Sequence, residues 1–397
     1  MKRMRAILCG VLAALMLAGC GGSEIGKYAV AEAGTPARTR KTEGLTDTEA
    51  LRQFSDETAA AVFTGERNEV YSPISLYMAL GMLTELADGE TKQQVMALLG
   101  VSGNEALRQW TQQLWQQLYH DEQDSALWLG TAAFLNETMS FHKEPLEVLA
   151  KDYYASSYCL PMGTSGADKA IAAWLDRQTN DLLTDDTGAI RTEKRDLLRL
   201  YNTIYYKAGW RAAFESGQTK ADTFTAADGS RQRVNFMHLT ETGDVLRGEG
   251  YTAAPKSLQY GRMVFVLPDE GVTPESLLQR QGFLAELTGD YNAAELVWSV
   301  PKFDVKSSTE LNEVLQALGV TDAFDWTKAD FAPLTANGAF LSSAMQAARV
   351  KIDEEGVEAA AYTEIVCADS AMMEVPPTVE MDLDRPFLRS EEHTSEL

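Results

Sequence analysis

The chain has 397 residues, 45% of them hydrophobic, with 58 Asp and Glu against 35 Lys and Arg and a formal net charge of -23. That length and apolar content can fill a large core in one or two domains and exclude a wholly disordered chain. The acidic balance repels polyanions, so nucleic acid is excluded as an expected partner.

In chain order, Lys2, Arg3 and Arg5 precede an apolar run from Ala6 to Leu17, too short for a permanent membrane span, and residues 1–19 read as a signal peptide. The run ends in Leu17-Ala18-Gly19-Cys20, which resembles a bacterial lipobox. That resemblance implies cleavage before Cys20, lipidation of its thiol, and an exported protein anchored on the extracytoplasmic side of a membrane. Residues 20–45 are then the lipidated cysteine and a flexible tether, rich in Gly, Ala, Thr and charge. With Cys9 lost in the leader and Cys20 lipidated, Cys159 and Cys367 remain. They are expected as two free thiols, with a single bridge as the alternative.

Apolar spacing predicts amphipathic helices over Asp47 to Phe63, Ser75 to Leu86, Thr91 to Leu99, Glu105 to Leu118 and Ala167 to Leu183. Aromatic and β-branched runs predict strands at Ala126 to Leu135, Asn202 to Tyr206, Met263 to Leu267, Leu296 to Val300 and Ala348 to Ile352. Helices dominate early and strands late, without regular alternation, which argues for an α+β fold. The four histidines, His120, His142, His238 and His393, form no HExxH or metal-spaced cluster, and there is no GxSxG elbow or phosphate loop. No enzyme activity, metal or cofactor is expected.

Four segments stand out. The first is Asn68-Glu69-Val70-Tyr71-Ser72-Pro73-Ile74-Ser75, followed by Gly89-Glu90-Thr91; Ser72 and Pro73 suit a helix cap and first turn. The second runs from Asn202 to Trp210, with Phe214 after it. The third is Val300-Pro301-Lys302-Phe303, leading through Leu311, Leu315, Gly319 and Phe324 to Ala329-Asp330-Phe331. The fourth is Val350 to Thr363, with Arg385-Pro386-Phe387 beyond it. In this order they resemble the serpin family of serine protease inhibitors over about Thr46 to Phe387.

The resemblance implies a serpin domain over 46–388 with a helical N-terminal half, three β-sheets and an exposed reactive-centre loop. It implies a monomeric extracellular inhibitor that acts as a suicide substrate, its cleaved loop inserting into the central sheet. The hinge is Glu354, Glu355, Gly356, Val357, Glu358, Ala359, Ala360, Ala361, Tyr362 and Thr363. With period two, Val357, Ala359, Ala361 and Thr363 share one small, uncharged face that can be buried. Val357 and the bulky Tyr362 depart from the family pattern; valine suits a buried strand face and Tyr362 falls on the outer one. The loop enters beside Lys302, Glu354 and Trp210, where Lys302 and Glu354 are expected to form a partly buried ion pair. A cluster of Ser72, Ser75, Asn202 and Gln346 is expected to control opening of the sheet. Gln346 stands where many relatives carry histidine, so that control is expected to be insensitive to pH.

Counting along the loop places the reactive bond between Ser370 and Ala371, with Met372 or Met373 as alternatives ahead of the cut. None is basic, which points to an elastase-like protease. The alternative is a non-inhibitory serpin serving as a surface binding or carrier protein, although the hinge lacks the charged or proline-broken face that would forbid insertion. The final residues, Arg389 to Leu397, resemble the translation of a sequencing-library adapter. They imply that the family's last hairpin is missing, leaving Val264 and Val266 poorly covered.

Overall fold

The computed structural model describes residues 25–33, 49–65, 67–122, 125–181, 190–357 and 376–392. The leader with Cys20, the tether over 34–45, Glu358 to Thr363, Cys367, Ser370 to Met373 and residues 393–397 lie outside them.

The chain opens on a short strand, Ala29–Ala31 (β1), and then four helices, Glu49–Val62 (α1), Pro73–Leu86 (α2), Gly89–Leu98 (α3) and Asn104–Leu118 (α4). His120–Asp121 (β2) and Ser125–Asn136 (β3) lead to Lys143–Asp152 (α5), Ser156–Leu160 (β4) and Ser165–Gln178 (α6). Strands then prevail: Leu198–Gly209 (β5), Lys220–Thr225 (β6), Arg231–Gly248 (β7), Tyr251–Ser257 (β8) and Arg262–Pro268 (β9). Two short helices, Pro274–Leu278 (α7) and Phe283–Glu286 (α8), precede Asn292–Pro301 (β10) and Phe303–Glu310 (β11). After Asn312–Ala317 (α9) come Leu341–Ile352 (β12), Gly356–Val357 (β13), Thr378–Asp382 (β14) and Leu388–Glu392 (β15).

The larger sheet has the order β1-β4-β3-β5-β13-β12-β11, with β2 on β3. The second has the order β14-β10-β7-β8-β9-β15, with β6 on β7. The expected second and third sheets join in it, because β7 is 18 residues long. Its first third, Arg231 to Phe236, pairs with β6, Phe236 to Val245 pairs with β10, and its last residues, Leu246 to Gly248, pair with β8.

Helix α2 is the hub. Ser72 caps it, accepting from the Ser75 amide at 3.3 Å, with Pro73 in the first turn. From Ser75 to Leu86 every residue is buried, so the helix is enclosed rather than amphipathic. It packs with α1, α3 and α5 against one face of β3 and β5. On the other face, Leu127, Tyr206, Val350 and Ile352 of the large sheet meet Met237, Phe265, Trp298 and Val300 of the second. Strand β3 is buried along both faces because helices lie on one side and the second sheet on the other.

Two expectations are corrected. The segment read as tether is ordered in part: Ile25 is fully buried beside Tyr158 and Leu160, and β1 pairs antiparallel with β4, Ala29 opposite Tyr158. The apolar Ile25 and Ala29 cover what would otherwise be the bare edge and face of β4. At the other end, Val264 and Val266 are fully buried, because Leu388–Glu392 pairs with β9, Leu388 opposite Val266 and Ser390 opposite Val264. Main-chain pairing tolerates the polar sequence, and two of the charges it brings pair with one another, Arg389 Nη1 to Glu391 Oε1 at 2.5 Å.

Candidate hinge and sheet-opening site

The site lies where β5 and β12 separate. They run parallel from Leu198 opposite Leu341, with a one-residue shift of register between Leu341 and Ser343, and then without interruption from Arg199 opposite Ser343 to Ile204 opposite Ala348. Above that point β13 stands between them, antiparallel to both: Val357 pairs with Ala208 on β5 and with Ile352 on β12, and Gly356 with Gly209. The turn from β12 into β13 is closed by the Asp353 amide donating to Gly356 O at 3.0 Å, and the Glu355 amide donates to Asp353 Oδ1 at 3.0 Å. Gly356 is required by contact rather than by dihedral angle. A Cβ there would lie 2.3 Å from Ala208 O and 2.7 Å from Gly209 Cα, so only glycine lets the two backbones approach this closely. Val357 is 1% exposed and joins the intersheet core with Trp210, Phe214 and Ile352.

The turn is gripped from below by the residues after β5. Trp210 donates its amide to Glu355 O at 2.9 Å and its indole Nε1 to Asp353 O at 3.0 Å. Phe214 donates its amide to Glu354 O at 2.9 Å. Glu354 forms an ion pair with Lys302 and accepts from Thr219 Oγ1 at 2.7 Å; the two charged side chains are 16% and 35% exposed, respectively. Burial pushes the Glu354 carboxyl up, but the hydrogen bonds from Lys302 and Thr219 outweigh it and hold the group below the usual glutamate range. Thus the side chain of the hinge's first residue and three of its carbonyls are all engaged.

Lower in the sheet, Ser72, Ser75, Asn202 and Gln346 come together, each nearly or fully buried. Asn202 and Gln346 are register partners across the parallel β5–β12 pair. Gln346 Nε2 donates to Asn202 Oδ1 at 2.7 Å and to Ser72 O at 3.0 Å, while its Oε1 accepts from the Ser72 amide at 2.7 Å. Ser75 Oγ donates to Asn202 Oδ1 at 3.1 Å. The amide of Gln346 therefore ties the start of α2 to both strands, and separating β5 from β12 must break the Gln346–Asn202 bond. None of these four side chains titrates near neutral pH.

Of the residues singled out from sequence, Lys302, Glu354, Trp210, Gly356 and Val357 meet at the upper end of the sheet, and the four polar residues meet in its middle. Cys159 is a free, half-buried thiol on β4, pushed up by burial and by Glu137. Thr219, which acts through its hydroxyl, and the capping role of Asp353, whose carboxylate and carbonyl both hold the turn, carry no sequence pattern of their own. Gly356 was counted in the hinge, but its close approach to Ala208 depends on strand order.

A serpin family model, described as serine protease inhibitor, matches residues 49–396. Human glia-derived nexin is 30% identical over 352 residues, covering 81% of this chain and 83% of that protein. Serpin-Z1C of Triticum aestivum is 27% identical over 342 residues, covering 81% and 85%. The thermophilic serpin tengpin in its native state superposes with a TM-score of 0.80 at 26% identity, covering 92% of this chain and 94% of that one. With this fold, and with a family match spanning most of its length, the chain belongs to the serpin family of serine protease inhibitors.

Proposed function

We propose that this chain is an extracellular inhibitor that traps an elastase-like serine protease by inserting its cleaved loop between β5 and β12. The observation that carries the reading is β13. The first two residues after the turn already form a strand antiparallel to both neighbours, with Val357 buried. Continuing that strand downward replaces one parallel pairing by two antiparallel ones, and parallel pairing is the slightly weaker of the two per residue. About ten new ladder bonds at ~1 kcal/mol net each would drive the step.

In that reading the protease serine attacks the carbonyl ahead of the scissile bond, the new amine departs, and an ester links the two proteins. Insertion of roughly sixteen residues then carries the ester about 50 Å, and the distorted catalytic site no longer directs water onto it. Ser370, Ala371, Met372 and Met373 offer small or apolar side chains, which suit an elastase-like pocket. Incubation with elastase is expected to give a complex stable to denaturant and a released peptide whose new N-terminus, read by mass spectrometry, lies between Ala371 and Glu374. Turnover with scattered cuts and no complex would contradict inhibition and favour a carrier role.

The Leu17 to Cys20 motif supports attachment to a membrane through lipid on Cys20, with the inhibitor facing outward as a monomer. Cys20→Ser is expected to release the protein or stall its processing. Identical detergent partitioning of variant and parent would remove the anchor from the account.

A further inference from the structure

Lys256, on β8, is 1% exposed, and it lies directly behind the two residues that grip the hinge. Its Nζ sits 4.7 Å from the ring centre of Phe214, 5.6 Å from that of Trp210 and 5.9 Å from that of Trp298. Its ion-pair partner is Glu241 of β7, at 2.9 Å from Oε1, and the same oxygen accepts from Trp298 Nε1 at 2.8 Å. The ammonium has three N–H groups; one points to Glu241, and the faces of three rings lie around it. Burial lowers the lysine below its usual range, and Glu241 opposes that shift. The end of β8 is also tied to the Trp210 turn, since the Arg211 amide donates to Ser257 O at 3.0 Å and the Gln259 amide donates to Gly209 O at 2.9 Å.

We propose that Lys256 and Glu241 are positioning residues for the hinge: the caged ammonium fixes the planes of Trp210 and Phe214, so that their amides and the Trp210 indole hold the carbonyls of Asp353, Glu354 and Glu355. The proposal deepens the insertion mechanism and rests on it. For stability alone, an apolar residue of similar volume would serve at least as well in such a site, because burying an ammonium costs hydration that one carboxylate oxygen and ring faces only partly replace. What the charge adds is direction. A ring held by packing alone can tilt, whereas rings drawn to a fixed cation keep their faces, and hence the backbone that carries them, in one orientation. Loss of that orientation loosens the grip on the turn before any strand insertion begins.

Hydrogen exchange on the full chain, followed by mass spectrometry, tests this without a protease. Lys256→Met keeps most of the volume and removes the charge; Glu241→Gln is the milder change, on a side chain that is 21% exposed. In both, exchange at the Trp210 and Phe214 amides, which report the bonds to Glu355 and Glu354, is expected to rise about tenfold. The far end of the β3–β5 ladder, from Ala132 opposite Tyr201 to Leu135 opposite Leu198, should be unaffected. Unchanged exchange at Trp210 and Phe214, or an equal rise at that end of the β3–β5 ladder, would show that the pair is only structural and would overturn the proposal. A gel assay of the same proteins separates this from the function: if the parent chain traps no elastase, the inhibitory reading fails, while the exchange result still decides the cage.

Discussion

Replacing Glu354 by lysine is expected to loosen the upper end of the large sheet and to produce dimers and larger species on mild warming. The substitution sets a second ammonium against Lys302 and leaves Thr219 Oγ1 without its acceptor. The pair is neither fully exposed nor fully buried, so its loss should cost about 1–3 kcal/mol, above the ~0–1 kcal/mol of an exposed pair and below the cost of breaking a buried one. On a domain of roughly 350 residues that is a fall in Tm of roughly 1–4 °C. The larger effect is kinetic: with the turn released, the gap that β13 occupies offers strand edges to another copy. Size-exclusion chromatography and thermal melts check this; an unchanged melt with a purely monomeric elution would remove the pair from the mechanism. Acid should reproduce part of the effect. A carboxyl held below its ordinary value stabilises the fold above that value, ~4.3 for glutamate, and the contribution disappears as pH falls through the lower folded value. Glu354→Gln should lack that acid-dependent component.

Val357→Arg is expected to turn an inhibitor into a substrate. Val357 is 1% exposed among Trp210, Phe214 and Ile352, an apolar setting that a guanidinium would enter at the cost of its hydration. Keeping β13 in place would then cost several kcal/mol, at least ~3, so the arginine leaves the core and takes the start of the strand with it. The exposed loop remains available to the protease, and the cut should fall at the same bond. The fraction of cleavages ending in a stable complex is expected to drop at least about tenfold. Equal complex yields from parent and variant on denaturing gels would mean that insertion does not begin at Val357.

Much of this architecture is legible in the sequence because it is local. Ser72 and Pro73 announce the start of α2, and the strands read from β-branched runs lie inside β3, β5, β9, β10 and β12. Strand β7 is not legible: Arg231 to Gly248 is polar and half exposed over most of its length, with Phe236 and Met237 as its main apolar anchors. Strand order is likewise a long-range property. Nothing near Gly356 in sequence shows that Ala208 will lie against it. Nothing in the sequence marks Lys256 as buried, since its carboxylate partner lies on another strand and its aromatic neighbours on two other segments. At both ends of the chain, residues read as unstructured or foreign pair with exposed strand edges, because an edge binds backbone with little regard to side chains.

Inhibition by insertion requires residues following Val357 to extend β13 between β5 and β12 once the loop is cut. Thermal unfolding of the chain cleaved once within residues 358–375, compared with that of the intact chain, decides whether they do. About ten additional ladder bonds at ~1 kcal/mol net each, over roughly 350 residues with ~2.1 cal/mol/K of unfolding entropy per residue, predict a rise in Tm of about 14 °C. A cleaved chain that melts at the same temperature as the intact one, or below it, would contradict insertion.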